Sequence, residues 1–206
     1  IFAGEGTGKS SGAVTILSTN AGASGTSGHL SFSSGASTLG NSGALLFGSG
    51  AATAGHGGEV HIVAGSGTSG AGGPMSLASG RGVTATGGVM HLGSGEGTAT
   101  SSGNIIIKTA NSGIAGSSGL LRFSSGSSQS GNSGAITIGS GAATNGRGGA
   151  IFIAIGSGTS GSGGAINLMA GRSTTSSGGK VVISGGEGTQ TSSGIIIIAS
   201  ANAGKE

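Results

Sequence analysis

The residues whose types and order could do chemistry lie first at the start of the chain. Ala3-Gly4-Glu5-Gly6-Thr7-Gly8-Lys9-Ser10 matches a loose phosphate-loop pattern, with Ala in place of the first Gly. Such a loop works by opening a helix whose N-terminal amides, together with the Lys, hold phosphates. Two later stretches stand in register with it, Ser94-Gly95-Glu96-Gly97-Thr98-Ala99-Thr100-Ser101 and Gly185-Gly186-Glu187-Gly188-Thr189-Gln190-Thr191-Ser192, and both lack the Gly-Lys. The segment after Ser10 reads as a strand and not a helix, so no nucleotide site is expected.

The histidines fare no better as metal ligands. His61 and His91 share one position of a sequence repeat, two repeats apart. Stacked strands would hold them roughly 9–10 Å from each other, too far for one ion. Ninety-one residues later the same positions hold Phe152 and Val182, and His29 and His56 become Leu120 and Arg147. Glu59, beside His61, becomes Ala150. The chain has no Asp, which excludes the calcium-binding nonapeptide roll. No Ser-His-acid set recurs. The residues predict no catalytic, metal or cofactor site, no small-molecule substrate and no enzyme activity.

Two kinds of charged position do persist: Glu5, Glu96 and Glu187, and the pair Arg81 and Arg172. Stacked repeats would set each Arg one layer from a Glu, giving a surface ion pair worth ~0–1 kcal/mol and useful mainly for register. Other charge is sparse: charged residues are 6% of the chain and the net charge is +3. Scattered Lys and Arg, with no Tyr or Trp to stack on bases, argue against nucleic acid as a partner. No apolar run approaches the ~20 residues of a membrane helix, and with no Cys there is no disulfide framework.

The element that has to position all of these residues is a repeat within a repeat. Ser11-Gly12-Ala13-Val14-Thr15-Ile16, Ser102-Gly103-Asn104-Ile105-Ile106-Ile107 and Ser193-Gly194-Ile195-Ile196-Ile197-Ile198 begin 91 residues apart. Each 91-residue block holds one 16-residue repeat and then a run of 15-residue repeats. Such a fixed period signals a stacked architecture. Glycine, at 52 of 206 residues with a single Pro, lacks the every-third spacing of collagen. Both ends fall inside a repeat, so the chain reads as one continuous domain, 1–206, and as a window of something longer.

Within a repeat the fourth and sixth residues are large and apolar, as in Leu45 and Phe47, Val60 and Ile62, or Ile136 and Ile138. Spacing of two, with β-branched residues and flanking Gly, predicts a short strand with one buried face. Gly density excludes helix. The expected fold is all-β, a parallel β-solenoid of ~15-residue coils with a six-coil, 91-residue super-repeat. Gly at the ninth position, as in Gly65, Gly80 and Gly95, is expected to turn the corner at positive φ. In the 16-residue repeats Asn20, Asn111 and Asn202 are expected to replace it in a left-handed bulge. Thr38, Thr53, Thr68, Thr98, Thr144, Thr159, Thr174 and Thr189 form a ladder at the twelfth position. Leu46, Val63, Ile106, Phe152, Met169, Val182, Ile195 and Ile197 make the outward side unusually apolar, which points to a lateral contact.

The alternation SSGNIIIKTANSGIAGSSGLLRFSSG and then GSGTSGSGGAINLMAGRSTTSSGGKVVISGGEGT resembles the long Gly/Ser-rich β-solenoid repeat proteins of diatoms, brown algae and related protists. The resemblance implies a very long extracellular or surface-exposed polypeptide and brings no site residues with it. The expected function is a structural filament or rod at the cell surface or outside it, built by stacking and by end-to-end or lateral self-association. The alternatives are an ice-binding solenoid using the Thr ladder, and the stalk of an adhesin.

Overall fold

A chain with so much Gly has little to hold a regular backbone in place, because each Gly gives up the most conformational freedom on ordering. The computed structural model of the protein describes residues 1–5, 7 and 10–201. It divides into two halves, Ile1–Ile105 and Ile106–Glu206. Among the described residues neither half contains a helix or a strand. The expected all-β parallel solenoid is therefore corrected: the described chain is a periodic coil.

The period survives as a series of bends. In the first half they fall at 38–40, 53–55, 68–70, 83–85 and 98–100, and in the second at 129–131, 144–146, 159–161, 174–176 and 189–191. These are the twelfth to fourteenth positions of the 15-residue repeats. In the 16-residue repeats the bends lie at 23–25 and 114–116, one position later.

Each bend returns the chain to a neck. The second residue of one repeat comes back against the eighth and ninth of the repeat before. In the first half the Gly73, Gly88 and Gly103 amides donate to the Gly65, Gly80 and Gly95 carbonyls at 2.8, 2.9 and 3.0 Å. In the second half Gly179 and Gly194 donate to Gly171 and Gly186 at 2.9 and 2.8 Å. The 16-residue repeat 11–26 keeps the same approach with a side chain, since Ser18 Oγ donates to the Gly28 carbonyl at 2.8 Å. Its extra residue is taken up in the loop beyond the neck.

Several finer expectations are corrected with the solenoid. No described residue is buried, so the fourth and sixth positions form no core. A coil can bury its face only against a second layer, and the small residues of the later half of each repeat supply little apolar surface for one. Among the described residues the only positive φ is that of Gly161 at 117°, so neither the ninth-position glycines nor Asn20 and Asn111 turn left-handed. The extra residue needs no bulge because the longer loop absorbs it; Asn202 lies outside the described residues. Arg81, Glu96, Arg172 and Glu187 are not buried, and without stacked layers nothing sets each Arg over a Glu; no ion pair joins them among the described residues.

Candidate association surface

Alternation of side chains survives the loss of the strand. Val14, Ile105 and Ile196, at the fourth position, are 50, 50 and 48% exposed, whereas Ile106, Phe152 and Ile197, at the fifth, reach 78, 91 and 82%. The fourth and sixth positions share one side, half-covered at the fourth and more open at the sixth, which runs from 49% at Ile16 and 51% at Phe32 to 74% at Ile138 and 88% at Ile198. Phe32 and Phe47, at the sixth positions of adjacent repeats, meet edge to face with ring centroids 6.3 Å apart at 85°, within the favoured range for aromatic pairs.

The half-covered side opens into shallow apolar clefts between adjacent repeats. In the first half Phe47, Val60, His61 and Ile62 line one of about 380 Å³. In the second half Phe123, Ile136, Thr137 and Ile138 line one of about 400 Å³. Apart from His61 and Thr137 the walls are hydrocarbon. The clefts can take up apolar side chains, but they have no arrangement of groups to polarise a bond or hold a charge.

The residues weighed as chemical candidates stay apart. Among the described residues no three acidic, His or Cys side chains gather where they could hold a metal. The phosphate-loop stretch is only partly described, with Gly6, Gly8 and Lys9 outside the described residues. No helix of the described residues is long and apolar enough to cross a membrane. The Thr positions open the bends and are exposed; they do not run along a sheet.

Two positions to which the sequence assigns no role shape the bends. Where the eleventh residue is Gly67, Gly82, Gly97 or Gly188, the backbone closes in so far that a Cβ would strike the carbonyl oxygens at the end of the bend, at 2.5 Å for Gly67 and 2.6 Å for Gly188 and closer still for the other two. At Ser37 and Ser173 the hydroxyl closes the bend instead: the Gly40 amide donates to Ser37 Oγ at 3.1 Å and the Ser176 amide to Ser173 Oγ at 2.9 Å. At the eighth position Ile155 stands where other repeats have Ser, Ala, Thr or Gly, and its Cγ2 lies 2.5 Å from where a Cβ on Gly164 would sit. Comparing repeats at positions eight and eleven exposes this signal in the sequence, although the fourth and sixth positions draw the eye first.

No protein family, curated protein or solved structure matches the chain.

Proposed function

We propose that the protein is a structural, self-associating repeat polypeptide that works outside the cell or on its surface. One observation carries this reading: every repeat holds a pair of large apolar side chains, and no described residue is buried. The chain exposes 20348 Å². Two separate compact domains of half its mass would expose roughly 10,000 Å² together. Surface of that extent, rich in Val, Ile, Leu and Phe, gains by association.

The composition favours a material over a binding protein with a charged partner. With charged residues at 6% of the chain, steering by electrostatics is weak, so assembly is expected to tolerate salt. The resemblance to long Gly/Ser-rich surface proteins supports an extracellular setting. The exposed Ser, Thr and Gly bends suit a hydrated, extensible network.

The test is sedimentation and electron microscopy of the purified chain over a range of concentrations, at low and high salt. Concentration-dependent fibrils or networks that persist in salt are expected. A chain that stays monomeric at every concentration contradicts the reading.

A further inference from the structure

We infer that the surface through which the chain associates is the half-covered side carrying the fourth and sixth positions, and that its occupant is the same side of a second copy. The inference rests on the self-association just proposed and names the face that performs it. The sequence alone points to the other side, with Leu46 and Val63; these are 86 and 69% exposed and Val89, at a third position, is 89% exposed, while Phe47 and Ile62 are 69 and 68% exposed. Exposure by itself is a poor guide, because apolar side chains there occur in some repeats and not in others. The fourth and sixth positions are apolar in every repeat.

Three observations favour a second copy as the occupant. The clefts at Phe47–Ile62 and Phe123–Ile138 are apolar and open, so what fills them is an apolar side chain. The identical side of another chain offers such side chains at the same 15-residue interval of sequence, so a match at one repeat brings the next repeats into reach. Few charges stand nearby to select a partner of opposite sign. A stable pair needs about 1,600 Å² in total, a small part of the 20348 Å² that the whole chain exposes.

The geometry is isologous, with each copy giving and receiving the same residues. Phe32 and Phe47 already show the packing that such side chains prefer, ring edge against ring face. In the pair, the sixth-position side chain of one copy enters the cleft between two repeats of the other, and water leaves both surfaces.

Two triple variants in the same half test the inference, one carrying Phe32→Ser, Phe47→Ser and Ile62→Ser, the other Leu46→Ser, Val63→Ser and Val89→Ser. Each removes three large apolar side chains, and neither disturbs a core, because none exists among the described residues. The concentration at half-assembly is measured by light scattering for each variant and for the unaltered chain. A third variant, Phe47→Leu, which keeps the side chain apolar, serves as the rescue.

The first triple variant is expected to raise the concentration at half-assembly about tenfold or more, while the second and the Phe47→Leu variant stay close to the unaltered chain. Equal loss in both triple variants, or loss only in the second, overturns the assignment of the face and leaves self-association standing. An unaltered chain that never assembles removes the functional reading itself.

Discussion

The bends around Gly67, Gly82 and Gly97 and the bends around Ser37 and Ala52 lie in the same half of the chain and share one period, yet they close in different ways. With Gly at the eleventh position the backbone folds tightly enough to exclude a Cβ, and the neck behind it is bonded from Gly73 to Gly65, Gly88 to Gly80 and Gly103 to Gly95. With Ser37 the hydroxyl takes the Gly40 amide at 3.1 Å, and with Ala52 nothing replaces it. Neither of those repeats has a bonded neck among the described residues. In this half the bends that exclude a Cβ are the ones whose necks are bonded.

The second half repeats the comparison and adds an exception. Gly188 closes tightly and its neck is bonded from Gly194 to Gly186 at 2.8 Å. Gly158 meets the same local requirement, but a Cβ there would find open space. Ile155, three residues earlier, props the neck apart against Gly164, and Gly161 in the same bend is the one described residue at positive φ. Glycine at the eleventh position permits the tight bend, and a small residue at the eighth lets it form. Ser173 shows the middle case, with its hydroxyl bonded at 2.9 Å and its neck bonded from Gly179 to Gly171.

Substitution at the eleventh position should break the comparison most strongly. Gly82→Ala puts a Cβ into the Ala85 and Thr86 carbonyls, so the Gly88–Gly80 bond should open and the Gly88 amide should exchange with solvent about five- to tenfold faster, the worth of one net hydrogen bond. Gly158→Ala should leave its own repeat's exchange unchanged. If both substitutions accelerate exchange alike, the tight bend is not what holds the neck.

Reversing the exception tests the eighth position. Ile155→Ser removes the wedge, and the Gly164 amide should then become protected about fivefold as it gains the Gly156 carbonyl, on the scale of one hydrogen bond. A shift of the Gly161 resonances away from those of a positive-φ glycine should accompany it in the same NMR spectra. Unaltered exchange at Gly164 would mean that Ile155 is a bystander.

Removing the hydroxyl is the mildest change. Ser173→Ala deletes the acceptor for the Ser176 amide, and because the site is exposed water takes its place. Exchange at Ser176 should rise by only about twofold. A larger rise that also frees Gly179 would show the hydroxyl to be part of the neck itself, narrowing the difference between the Ser and Gly bends.

The bends and the neck were legible in part. The period gives the spacing of the reversals, but the ninth-position glycines pointed to a corner there, whereas the bends lie at the twelfth to fourteenth positions and open on the twelfth-position Thr residues. The 16-residue repeats were legible as exceptions, but Asn20 and Asn111 suggested a left-handed bulge where the loop beyond the neck absorbs the extra residue. Position eight was legible only by aligning Ile155 against Ser140 and Ala170, its equivalents in adjacent repeats. The apolar segment itself was legible from its spacing of two. The spacing also marked the fourth- and sixth-position side as the more covered one, but not how little it is covered, because that depends on what the rest of the chain packs against it.

What the sequence by itself determined is local: the period, and the division of each apolar segment into two sides. These come from residue type and spacing, since an alternation of two survives even where no ladder of hydrogen bonds forms. What only the tertiary structure decided is whether Val14, Phe47 and Ile138 would be covered. Burial requires a second apolar layer brought to the same place, and a Gly-rich backbone that loses so much freedom on ordering gains too little from two large side chains per repeat to supply that layer from its own chain.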